Sequence, residues 1–239
     1  MKLYSQFKRY RGFIEARIHH LEPRPVLPAA EFPWIQKVES FHREIRQEVR
    51  SILERTQEIT NFDQVLPGQR ALYHGAHWKS YYLTVMGKPV ERHQKLCPAT
   101  SEALGNIPGL LNAFFSILQP DTHIPAHRGP YSGILRYHLG VIVPRGDVAI
   151  RVDSQICKWT EGKSLIFDDS FEHEAWNRSD SVRVVLFVDM ERPLPGFLGL
   201  LNRGLLKFMN LTKEVRHAKK TVFQSQLDSG VPKNQKNVL

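Results

Sequence analysis

The chain is poor in cysteine, has no long apolar run and carries no internal repeat. Its two cysteines, Cys97 and Cys157, stand outside any CxxC pair, so neither a disulfide framework nor a CxxC motif is on offer. No secretory leader is recognisable ahead of them, and a reduced, cytoplasmic setting is the expectation that follows. The longest apolar stretches, such as "VVLFV" at 184–188, fall far short of the roughly 20 residues needed to span a bilayer as a helix. Acidic residues are the scarcer charge: 24 Asp and Glu stand against 33 Lys and Arg, a formal net charge of +9. That surplus suits an anionic partner, whether nucleic acid, anionic lipid or a charged small molecule. No nucleic-acid reader motif accompanies the charge, which counts against nucleic acid.

What is present divides into three. Residues 1–33 hold a basic amphipathic helix, with Leu3, Phe7, Tyr10, Ile14 and Ile18 at helical spacing, and a proline-rich connector, "LEPRPVLPAAEFP". Residues 34–193 form the main body. One helix is expected from Trp34 to Arg55 on the spacing of Ile35, Val38, Ile45, Val49, Ile52 and Leu53, then a strand at 78–86. A short helix follows in "CPATSEALGNI", with Thr100 or Ser101 near its N-cap. After it, "LLNAFFSIL", "GILRYHLGVIVP", "VAIRVDSQICKWT", "SLIFDD" and "SVRVVLFVDM" are β-branched or aromatic runs broken by turn residues. Short strands without intervening helices predict a mainly β fold with flanking helices, a small antiparallel sandwich or barrel. Residues 194–239 carry a second amphipathic segment, with Phe197, Leu201, Leu205 and Phe208 on one side and Arg203, Lys207 and Asn210 on another. A basic polar tail follows from Lys213, its last stretch expected to be disordered.

The chemistry concentrates in "HIPAHRGPYSGILRYHLG" at 123–140. His123 and His127 are four apart, but Pro120 and Pro125 exclude the helix that would pair them as ligands. A partner for His127 must then come from a later strand, and His173 in "FDDSFEHEAW" is the candidate; a packed histidine beside Trp176 is the competing reading. Arg136 and His138 alternate with Leu135, Tyr137 and Leu139, so they share one strand face. Arg183 lies within "SVRVVLFVD", where an unpaired guanidinium is costly to bury. It pairs either with Asp168 or Asp169, or with a carboxylate carried by a ligand.

The blocks "SILQPDTHIPAHRGP", "LRYHLGVIVP", "WTEGKSLIFDDSFEHEAW" and "VRVVLFVD", in that order between about Trp78 and Pro193, resemble the aspartyl/asparaginyl β-hydroxylases, a branch of the Fe(II)- and 2-oxoglutarate-dependent dioxygenases. The resemblance implies a double-stranded β-helix, the jelly-roll barrel. It implies His127 and His173 as iron ligands, and Ser116 with Arg183 holding the distal carboxylate of 2-oxoglutarate. Arg136 and His138 would line the pocket near the iron, touching cosubstrate or substrate. Gly129 would stand where a facial triad has its carboxylate. The activity implied uses O2 to hydroxylate an unactivated C–H, with decarboxylation of 2-oxoglutarate to succinate.

The family divides by substrate. One branch acts on Asp or Asn in peptides, another resembles the lipid A acyl-chain hydroxylases. The peptide branch carries a second arginine where this chain has Ile134, and "GPYSGILRYHLG", "WKSYYL" and "LCPATSEAL" lean toward the lipid branch, whereas Gly129 follows the peptide pattern. The partners in view are therefore 2-oxoglutarate and either a peptide Asp/Asn or an anionic glycolipid. The basic terminal helices either pack on the barrel or rest peripherally on an anionic, cytoplasmic membrane face. The alternative to an enzyme is a non-catalytic barrel that binds 2-oxoglutarate or metal and is recruited to such a surface.

Overall fold

The computed structural model describes residues 2–55, 59–65 and 77–228. Its helices are α1 (Lys2–Leu21), α2 (Ile35–Ser40), α3 (His42–Glu54), α4 (Phe62–Val65), α5 (Glu91–Leu96), α6 (Pro98–Leu104), α7 (Gly196–Met209) and α8 (Lys213–Asp228). Its strands are β1 (Val26–Leu27), β2 (Thr60–Asn61), β3 (Trp78–Val85), β4 (Lys88–Pro89), β5 (Leu110–Leu118), β6 (Thr122–His127), β7 (Ile134–Ile142), β8 (Val148–Val152), β9 (Gln155–Lys158), β10 (Ser164–Phe167), β11 (His173–Asn177) and β12 (Arg183–Glu191). They build two sheets. The larger runs β1-β10-β7-β12-β5-β3-β2 with β4 on β3, and the smaller runs β6-β11-β8-β9. From β5 to β12 the chain steps back and forth between the sheets, and the ladders are antiparallel. That winding is a double-stranded β-helix, the mainly β jelly-roll with flanking helices that the sequence predicts.

Alternation along β5, β7 and β12 separates two cores. Ala113, Phe115 and Ile117 of β5, with Val184, Leu186 and Val188 of β12, face outward onto α2, α3 and α6. Phe114, Leu118, Val185 and Phe187 face inward, between the sheets. The same parity sends Ser116, Arg136, His138 and Arg183 inward. Shifting any of these strands by one residue would exchange the site for the core.

Several local features differ from the sequence-based expectation. The helix predicted over 34–55 is two, broken at Phe41 (φ −86°, ψ 1°), whose amide turns back to Val38 O, while Ser40 Oγ donates to Lys37 O at 2.6 Å. The N-cap of α6 is Cys97, with Pro98 in the first turn, and not Thr100 or Ser101. Glu48 of α3 does the capping from outside, accepting the Ala99 and Thr100 amides at 2.7 and 3.0 Å. Glu48→Ala should lower unfolding stability by about 1–2 kcal/mol, read by urea melts, with ligand binding at the barrel unchanged. The proline-rich connector is extended only in part: Val26 and Leu27 add an edge strand to β10, and Ala29–Glu31 then wind into a 3-10 turn. The polar tail from Lys213 winds into α8, which sets Ala218 and Val222 into the inner core. Residues after 228, expected to be disordered, lie outside those described, as do the side chains of Leu3 and Phe7.

Candidate active site

His127 ends β6 and His173 begins β11, and the two are cross-strand partners. Their rings lie 4.1 Å apart between centroids. Each Nδ1 donates to a carbonyl two residues upstream, His127 to Pro125 O at 2.8 Å and His173 to Phe171 O at 2.9 Å. These bonds fix the tautomer, leaving both Nε2 lone pairs for a metal. Pro125 is tolerated because β6 is the edge of its sheet. Burial depresses both imidazoles, with the Arg136 charge adding to it, and takes His173 down to about 3. Burial thus favours the neutral imidazole in both.

Gly129 is where a third, carboxylate ligand would be sought, and the space beside it is taken. Its amide donates to Asp169 O at 2.7 Å, and a Cβ on Gly129 would overlap the Asp169 carboxylate carbon and both its oxygens. Asp169 is held there by Arg136 Nη2 at 2.8 Å; Arg136 also binds Asp189 at 3.1 Å and lies over the Phe187 ring. Burial pushes the Asp169 carboxyl up to about 6, and its Oδ1 has no protein partner. Among the described residues no group of three or more His, Cys, Asp or Glu is arranged to hold a metal. The donor set among the described residues is two imidazoles, which would leave room on a metal for a chelating ligand.

Deeper in the barrel three donors converge. Arg183 is buried, and its Nη1 donates to Ser116 O at 3.1 Å. Neither aspartate considered for it in the sequence is its partner: Asp168 pairs with Arg192 and Asp169 with Arg136. Its Nε is buried without a partner, and burial lowers the guanidinium pKa to about 9. The Trp159 ring faces the guanidinium at 4.6 Å. Trp159 Nε1 donates to His138 Nδ1 at 3.3 Å, which puts the His138 proton on Nε2, also buried and unpartnered. Burial and the Arg183 and Arg136 charges hold His138 neutral. Ser116 Oγ accepts from Trp78 Nε1 at 3.0 Å, leaving its own proton free to donate. Phe167, in edge contact with both His138 and His173, joins this cluster to the histidine pair.

Sequence reasoning misses Trp159, Trp78 and Asp189, and weighs Asp169 only as a partner for Arg183. Asp169, four before His173 and adjacent to Asp168, had a signal; the tryptophans had none, because their work is to orient other side chains. His123 lies on the outer face, on Glu174 at 2.8 Å.

The chain thus presents a double-stranded β-helix with two tautomer-locked histidines at its mouth and a cluster of donors behind them. The chain belongs to the aspartyl/asparaginyl beta-hydroxylase family, which it matches over residues 39–193. It is similar to the ornithine lipid ester-linked acyl 2-hydroxylase of Rhizobium tropici, 44% identical over 194 residues that cover 80% of this chain and 69% of that one. It is also similar to the human aspartyl/asparaginyl beta-hydroxylase, 31% identical over 74% of this chain, though it spans only 24% of that longer protein. A 2OG-Fe(II) oxygenase-family oxidoreductase from Burkholderia pseudomallei shares 11% identity at a TM-score of 0.40 over 54% of this chain and 78% of that one, a likeness too distant to bear on function.

Proposed function

We propose that the chain is an Fe(II)- and 2-oxoglutarate-dependent hydroxylase, and that its substrate is the acyl chain of a membrane lipid. One observation carries the first part. Ser116 Oγ–H, Arg183 Nε–H and His138 Nε2–H are buried donors that find no acceptor among the described residues, around a guanidinium with no carboxylate partner there; Ser116 Oγ itself accepts from Trp78 Nε1 and, at 3.5 Å, from Arg183 Nη1. Such a set is unsatisfied until an anion with several acceptor oxygens enters, and a carboxylate fits it. His127 and His173 would hold iron through Nε2. Bound there, iron would supply O2 activation coupled to oxidative decarboxylation, turning R–H, O2 and 2-oxoglutarate into R–OH, succinate and CO2. Arg136 holds Asp169 beside the histidines, and the aromatic wall of Phe114, Phe167 and Phe187 keeps bulk water out.

Two points favour an acyl chain over a peptide carboxylate. The Arg136 charge beside the histidines is already matched by Asp169 and Asp189, and the inner wall is aromatic, with Phe114 and Phe187 stacked at 4.2 Å. The relative at 44% identity is named for an ester-linked acyl chain of ornithine lipid, which shifts the lipid A expectation toward membrane lipids more broadly.

Arg183→Met tests the donor set. The Michaelis constant for 2-oxoglutarate should rise about a hundredfold, while the ligand-free protein should be as stable as wild type or more so, because the variant removes an unpaired buried charge. An unchanged Michaelis constant together with a lower melting temperature would make Arg183 a structural residue and remove the basis of this reading.

A further inference from the structure

An acyl chain lies in a bilayer, and no described helix is long and apolar enough to cross one. Contact must then be made from the side, and α1 and α7 carry the features for it. The two helices pack together, with Tyr10 Oη donating to Leu201 O at 3.2 Å and a buried cluster of Ile14, Ile18, Tyr131, Leu205 and Leu206 between them. Tyr131 follows His127 by four residues. Its hydroxyl donates to Asn202 Oδ1 at 2.6 Å, and Asn202 Nδ2 donates to Gly133 O at 3.0 Å, so the loop that leaves His127 is fastened to α7. On the other flank His19 of α1 meets Phe171 edge-on, and the Phe171 carbonyl is the one that orients His173. The helix pair therefore sits at the histidine end of the barrel.

Its outer side is unusually apolar for an exposed surface. The sequence-based face of α7 (Phe197, Leu201, Leu205, Phe208) does not pack inward as a unit: Leu205 is buried, but Phe197 is 72% and Phe208 47% exposed. Asn202 turns inward instead, to bind the Tyr131 hydroxyl and the Gly133 carbonyl. Phe197, Leu200 and Phe208 follow one another at helical spacing along a strip of α7 that includes Gly204, where an added Cβ would meet nothing within 4 Å, and Leu211 lies in the turn just past its end; all four apolar side chains are exposed. Phe13 of α1, beneath the Arg17 guanidinium, is also exposed. Arg9, Arg17 and Lys207 are exposed on the same helices, and Arg203, also exposed, pairs with Glu191 at 2.9 Å; α7 has no acidic residue, and Glu15 of α1 is taken by Arg11.

We infer that this face of α1 and α7 docks on an anionic bilayer. Phe197, Leu200, Phe208 and Leu211 enter the boundary between headgroups and acyl chains, the lysines and arginines meet anionic headgroups, and the histidine end of the barrel is brought against the lipid. Positive charge on both helices argues against a second copy of the chain as the occupant and for a surface of opposite sign. The inference deepens the acyl-chain reading, and its test stands apart from it.

The full chain is sedimented with vesicles of phosphatidylcholine alone and of equal parts phosphatidylcholine and phosphatidylglycerol. Wild type should bind the anionic vesicles and lose them at high salt. Phe197→Asp combined with Leu200→Asp should lower partitioning by about tenfold or more, and Gly204→Glu, placed in open space, should lower it without cost to folding. All variants should keep iron-dependent 2-oxoglutarate binding. Wild type left in the supernatant, or variants that sediment like it, would overturn the inference. So would variants that only convert a dimer to a monomer on gel filtration. His127→Ala should sediment as wild type does; vesicle binding with no turnover in wild type would defeat the hydroxylase reading alone.

Discussion

Replacing His127 or His173 by alanine should remove iron binding and lower 2-oxoglutarate turnover by about a thousandfold or more. On the proposed assignment, in which these two rings hold the iron, loss of either leaves a single imidazole, too little to hold a labile divalent ion. Both rings are neutral and preoriented by carbonyls, so the ion meets no proton competition at neutral pH and the loss traces to the missing ligand. The check is a paired measurement: iron content after gel filtration, and succinate formed with 2-oxoglutarate and ascorbate. Retention of iron-dependent turnover in both variants would take these residues out of the mechanism.

Gly129→Asp should fail for a reason visible in the packing. The change supplies the carboxylate that a facial triad would have, yet the space belongs to Asp169. Two carboxylates would meet in a buried site with one Arg136 to share, and overpacking adds to the repulsion. The expected loss is roughly 3 kcal/mol or more of unfolding stability, with activity lost as well. Adding Asp169→Ala vacates the space, so the double variant should recover most of the stability. The coupling in the double-mutant cycle should be about 2 kcal/mol. Additive effects in urea melts would show that Asp169 does not exclude a side chain at 129.

Much of the barrel was legible in the sequence because β5, β7 and β12 alternate, as in "GILRYHLGVI", where Arg136 and His138 are inward and Leu135, Tyr137 and Leu139 outward. β6 and β11 were harder: "THIPAH" contains a proline that an internal strand would not accept, and its place at a sheet edge is a tertiary fact. The break at Phe41 and the cap from Glu48 were also hidden, since each depends on what packs against the helix and not on its own residues. Within the site, His173 could be named as the candidate partner of His127 from the residues and again from the resemblance, but not the partners of the arginines. Arg183 and Arg136 look alike in sequence, each in an apolar strand, and only the fold shows that Arg136 has two carboxylates and Arg183 none among the described residues.

The central claim is that the donor set and the histidine pair together run a 2-oxoglutarate-coupled hydroxylation of an acyl chain. Its most direct test is mass spectrometry of a bacterial lipid extract incubated with the full chain, Fe(II), 2-oxoglutarate and O2. The expected result is one oxygen atom gained in a lipid acyl chain, matched mole for mole by succinate and absent with His127→Ala. Succinate with no oxygen gained in any lipid, while a peptide digest gains it, would contradict the acyl-chain assignment; no iron-dependent succinate with either would contradict the hydroxylase itself.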